Sequence, residues 1–136
     1  MEHLHPFISF SGNCEEAMNY YKNKLGGEIL ALMHFDEGPM EIPSECKKNV
    51  MFCELKFGNC TILASDKMPG TELTVGDNIA LSIRTSNLEI TEKWFKTLSE
   101  EGFVKMPLQD TFWGARFGML TDKFGINWMF NCEQEK

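Results

Sequence analysis

The feature that most narrows what this chain can fold into is an order of elements that runs once and then runs again. Residues 6–10, Pro-Phe-Ile-Ser-Phe, read as an extended strand. Asn13 follows where its side chain can cap a helix, with Glu16 three residues on to complete a capping box. Ala17, Tyr21 and Leu25 then recur at helical spacing and set one apolar stripe. Gly26-Gly27 ends that helix, because glycine accepts the left-handed backbone of a C-terminal cap. Residues 28–35, 50–57 and 60–65 read as three strands, the last two joined through the hairpin turn Gly58-Asn59. The second half begins with a strand at 79–83. A helix follows, opened by Ser86 with Glu89, buried along Thr91, Trp94, Phe95 and Leu98, and closed by Gly102. Strands at 103–106, 115–121 and 127–131 complete it. Lys-Phe-Gly precedes the last strand of each half, at 56–58 and at 123–125. Self-similarity of this kind predicts two equivalent units. Neither half can bury both a sheet face and a helix face alone, so the two are expected to pack together.

The expected product is one α+β domain over residues 1–136, with modules at 5–66 and 79–132 joined by a polar connector at 67–78. Residues 36–49 hold two prolines and no periodicity, and read as a long loop, a candidate lid. The chain carries 20 acidic against 13 basic residues, a net −7, which argues against a nucleic-acid partner. There is no apolar run of the ~18 residues a membrane span needs. The first residues show no basic region followed by a long apolar stretch, so the expectation is no signal peptide and a cytoplasmic home. Five cysteines without a CxxC pair read as reduced thiols.

Several segments carry a resemblance. They are Pro6 to Ala17 with Tyr20-Tyr21, Ala64-Ser65-Asp66 with Met68-Pro69-Gly70, Thr111-Phe112-Trp113-Gly114 with Phe117-Gly118, and Thr121 to Gly125 with Trp128-Met129 and Asn131. On these the chain resembles the PhnB-like family of the vicinal-oxygen-chelate superfamily, the glyoxalase, bleomycin-resistance and extradiol-dioxygenase fold. The resemblance implies two βαβββ modules forming curved mixed sheets around a cleft, and a homodimer.

It also implies a test. Enzymes of that superfamily hold a divalent metal on His, Gln or Glu ligands near the start of each module's first strand and on its last strand, where it acts as a Lewis acid. His5 is the weak candidate at the first of these positions. One histidine does not make a catalytic zinc site, which needs three protein ligands. The second module starts at Asn78-Ile79 without a histidine, and Met129 stands where the family pattern places a glutamate. A thioether is a poor ligand for a hard divalent ion. Phe52 occupies a position where PhnB-like relatives carry a histidine. His34 and Glu54 remain on the strands. A divalent-metal lyase, isomerase or dioxygenase, held by His5 and Glu54, is therefore the alternative reading, and no cofactor is expected in the leading one.

The leading reading is a small-molecule binder with an aromatic-lined cleft and no complete metal site. Phe10, Phe52, Trp113 and Trp128 are its candidate walls, with Glu54, Gln109 and Arg116 as the polar groups that orient a ligand. The guanidinium of Arg116 can grip a carboxylate or phosphate with two bonds, and a structural ion pair is the competing role. Cys14, at a helix start, is a thiol the dipole could activate, but no base is placed beside it. No catalytic constellation is legible, and whether the chain is an enzyme stays open. The family label of demethylubiquinone methyltransferase draws no support from these residues. A nucleotide-type methyl donor calls for a Gly-rich turn opening a helix, and Gly26-Gly27 closes one.

Overall fold

A computed structural model describes residues 1–133. The chain divides after Thr74 into two compact units. In the first, β1 (Phe7–Phe10), α1 (Cys14–Leu25), β2 (Glu28–His34), β3 (Val50–Phe57) and β4 (Cys60–Asp66) follow in order. In the second the same order returns as β5 (Leu81–Thr85), α2 (Leu88–Ser99), β6 (Phe103–Asp110), β7 (Ala115–Thr121) and β8 (Asn127–Glu133). The sheets run β1-β4-β3-β2 and β5-β8-β7-β6, one permutation written twice. The first strand of each lies parallel to the last, and every other pairing is antiparallel. These are two βαβββ modules of mixed sheet with one helix each, as the repeated pattern requires. Among the described residues no helix is long and apolar enough to cross a membrane.

Each helix covers one face of its own sheet, and strand alternation sorts the side chains. In the first unit, α1 buries Cys14, Ala17, Met18, Tyr21 and Leu25 against Cys53, Leu55, Phe57, Ile62 and Ala64 of the sheet, all of them buried. Burying a large apolar side chain stabilises by ~1.5–3 kcal/mol, so this stripe outweighs the modest helix propensity of its residues. In the second unit, α2 buries Thr91, Phe95 and Leu98. Opposite them, Ile83, Leu120, Trp128 and Phe130 are buried. Gly118 lies in this layer because a Cβ there would meet the Phe95 ring at 2.8 Å.

The two helix starts differ from the expectation and from each other. Asn13 makes no side-chain cap for α1. The acceptor comes from the far end of β4 instead. The buried Asp66 takes the Gly12 and Cys14 N–H groups on Oδ1, each at 2.9 Å, and the Val50 N–H on Oδ2 at 2.8 Å. Cys132 holds the matching place at the end of β8, since Thr85 pairs with it as Phe10 pairs with Asp66. There α2 is capped locally, by Asn87 rather than Ser86, whose Oδ1 accepts from the Ile90 N–H at 3.0 Å. Other boundaries shift as well. The strand expected at 79–83 lies at Leu81–Thr85, β6 runs on to Asp110, and β8 runs on to Glu133. The strand expected at 28–35 ends at His34, and the segment from there to β3 contains two short 3₁₀ turns, Phe35–Glu37 and Ser44–Cys46.

Candidate functional site

The face of the second sheet turned away from α2 carries a groove. Alternation builds it: because Trp128, Phe130 and Cys132 point to the helix layer, Asn131 and Glu133 of β8 point away. Register then fixes the neighbours. Ser82 and Arg84 of β5 share this face, as does Phe117, the cross-strand partner of Asn131 on β7. The fourth side comes from the turn between β6 and β7. The Thr111 hydroxyl donates to the Ala115 carbonyl at 2.8 Å and accepts from the Ala115 N–H at 3.2 Å, and Gly114 takes φ 86°. This closed turn presents Trp113 edge-on to the Phe117 ring, centroids 5.8 Å apart. The groove has a volume of about 560 Å³. Trp113 and Phe117 form an aromatic wall, while Ser82, Arg84, Asn131 and Glu133 supply the polar one. Arg84 Nη2 donates to Glu133 Oε1 at 2.8 Å, and the Trp113 indole N–H reaches Asn131 Oδ1 at 3.4 Å.

Of the residues singled out from the sequence, Trp113 lines this groove, and Gln109 stands beside it as the register partner of Phe117. The others lie elsewhere. Trp128 is 1% exposed in the helix layer, its indole N–H donating to Asp122 Oδ2 at 2.8 Å. Arg116 faces α2, where Nε donates to Glu92 at 2.7 Å and Nη1 to Asp110 at 3.3 Å. That is the structural ion pair weighed against ligand binding, with α2 and β6 supplying the carboxylates. Phe10 is buried opposite Asp66 in the first unit. Phe52 and Glu54 lie half-buried on the face of β3 away from α1. His5 is exposed before β1, stacked on His3 with ring centroids 5.9 Å apart. Ser82, Arg84, Asn131 and Glu133 escaped the sequence reading. The alternation of Trp128, Phe130 and Cys132 with Asn131 points to this face, but ending β8 at 131 and β5 at 83 cut off its two charges.

Among the described residues no three His, Cys, Asp or Glu side chains converge as a metal site would need. Met129, which the resemblance sets where a glutamate is expected, lies on β8. His34 is committed to other partners: Nε2 meets Glu15 Oε1 at 2.7 Å, and Nδ1 meets Glu37 Oε1 at 3.5 Å. The hydrogen bond to the Glu15 carboxylate raises the imidazole's affinity for its proton; burial lowers it, and Glu37 adds to the rise. A raised folded-state value contributes stability below the unfolded pKa of about 6.5, lost as pH climbs through the folded one. We therefore expect the melting temperature of the protein to fall as pH rises from 6.5 through the His34 titration, and His34→Gln to flatten that dependence. An unchanged slope in the variant would refute the clasp. Burial, followed by the Asp66 carboxylate, pushes the Cys14 thiol far up, and burial pushes Cys53 up to about 11, so neither is a ready nucleophile.

Two βαβββ modules in this strand order are the fold of the glyoxalase/bleomycin resistance/dioxygenase proteins. The fold matches that of a superfamily domain from Frankia sp. EAN1pec at a TM-score of 0.70, with 11% identity over 98% of each chain. With that fold, the chain belongs to the PhnB-like family, whose model, described as 3-demethylubiquinone-9 3-methyltransferase, matches residues 2–130. It is 37% identical to the crystal structure of protein PA1353 from Pseudomonas aeruginosa, over 99% of this chain and 100% of that one, at a TM-score of 0.90. The PhnB protein from Bacillus cereus, described as a putative 3-demethylubiquinone-9 3-methyltransferase, is 25% identical over 96% of this chain and 99% of that one, at a TM-score of 0.78. Protein YjdN of Escherichia coli K12 is 32% identical over 98% of this chain and 97% of its own length.

Proposed function

We propose that the protein binds a small organic molecule in the groove of the second sheet and does so without a complete metal site. The observation that supports this is the opposition of an aromatic wall, Trp113 and Phe117, to four polar side chains on one sheet face. Ligand sites elsewhere share that division, apolar area for affinity and a few polar groups for orientation. The family description speaks of methyl transfer. The strand-to-helix turn where a nucleotide-type donor would rest has its Gly12 and Cys14 N–H groups taken by Asp66, and Gly26 is the C-terminal cap of α1 at φ 69°. Both facts favour binding over that reaction.

The test is a thermal-shift screen of small aromatic and polar organic molecules. A ligand at a hundredfold excess over its Kd stabilises by about 2.7 kcal/mol, a rise of several degrees. Trp113→Ala is expected to abolish the shift. Arg116→Ala should leave ligand binding intact, because that guanidinium faces α2. A ligand whose shift survives Trp113→Ala binds somewhere else and defeats the assignment.

A further inference from the structure

The charges in the groove narrow the ligand further, and this step rests on the binding reading just given. Among the described residues the groove holds one cation and one anion, Arg84 and Glu133, side by side. Their side chains are 72% and 65% exposed. An ion pair that open to water is worth ~0–1 kcal/mol, so it contributes little to holding the sheet. It is joined by a single bond, Arg84 Nη2 to Glu133 Oε1. A guanidinium carries five N–H donors in a fork, and a carboxylate has a second oxygen. The pair can therefore accept two further charges of opposite sign without coming apart. A carboxylate would take the open side of the Arg84 fork, and an ammonium the second oxygen of Glu133. A lone anion would gain Arg84 but meet the field of Glu133 and of a chain whose net charge is −7. A lone cation would gain Glu133 and meet Arg84. Only a molecule bearing both charges on neighbouring atoms satisfies both sides. The Asn131 amide and Ser82 hydroxyl offer neutral hydrogen bonds nearby, and the Trp113–Phe117 wall offers a face for a flat apolar group.

We infer that the groove takes a zwitterion, an α-amino acid or close analogue with a planar apolar side chain, its carboxylate on Arg84 and its ammonium on Glu133. The experiment is isothermal titration calorimetry of the full chain with two ligand series, phenyl and indolyl. Each contains the amino acid, the deaminated acid, the decarboxylated amine and the neutral alcohol. The amino acid is expected to bind at least tenfold tighter than the acid, the amine or the alcohol of its series. Arg84→Ala and Glu133→Ala, both surface changes, are each expected to erase that preference. Equal or tighter binding of the acid, amine or alcohol, lost in Trp113→Ala, overturns the zwitterion and leaves the groove standing as a binding site. An amino-acid preference that persists in both charge variants also overturns it. No binding by any member of either series overturns the zwitterion as well, and if the broader thermal-shift screen is silent too, the binding reading falls with it.

Discussion

Trp128→Ala should cost the second unit about 4 kcal/mol of stability, in the range measured for removing a buried tryptophan. Two losses combine. The ring fills the layer under α2, stacked against Phe130 with centroids 6.5 Å apart, and its removal leaves a cavity. Its N–H also goes to Asp122, which accepts from the Phe124 N–H at 2.8 Å and the Ile126 N–H at 3.1 Å as well, so truncation strips a buried carboxylate of a partner. Trp128→Phe separates the two, keeping most of the ring while losing the bond, at about 1.5–3 kcal/mol for a hydrogen bond to a charged group. Urea unfolding followed by circular dichroism reads both. A Trp128→Ala protein as stable as the parent but unable to bind ligand would return this residue to the site.

The second large effect is expected at Asp66. Asp66→Asn should lose about 2–4 kcal/mol from the first unit, because three N–H groups, those of Cys14 and Val50 buried and that of Gly12 part-buried, converge on two carboxylate oxygens. An amide offers one oxygen and turns an N–H₂ toward a donor. At least one backbone N–H then faces no acceptor. Asn13→Ala is the comparison. A true N-cap residue is worth ~1 kcal/mol, and Asn13 makes no capping bond, so its replacement should be nearly silent. The same urea series decides it: a larger loss at Asn13 than at Asp66 would mean that the local residue holds α1 after all.

That contrast shows what can be read from the letters and what cannot. The helix stripes were legible because Ala17, Tyr21 and Leu25, or Thr91, Phe95 and Leu98, repeat within one element, where spacing alone fixes direction. The duplication was legible because it is a property of order, and both sheets bear it out. The cap of α1 was not, because its acceptor lies 52 residues away from Cys14. The groove was only partly legible. Aromatic density points equally to a core and to a ligand wall; the register of β8 turns Trp128 to the helix layer, and the turn between β6 and β7 presents Trp113 on the other face. Arg116 and Arg84 illustrate the same limit. Each is an arginine on a strand of the second sheet, and the face each takes depends on parity: Arg116 lies on the strand expected at 115–121, but which parity meets α2 is set by tertiary packing, and Arg84 fell one residue beyond the strand expected at 79–83.

The source of the α1 cap also bears on the order in which the chain acquires structure. Synthesis proceeds from the N-terminus, so the first turn of α1 is made long before Asp66 exists to hold it. Asn87 and Ile90 emerge almost together, and α2 can close its first turn as soon as it is made. The leading half must therefore wait for nearly all of itself to be translated, whereas the trailing half starts its helix at once. A nascent chain arrested before residue 66 should show α1 frayed at its start.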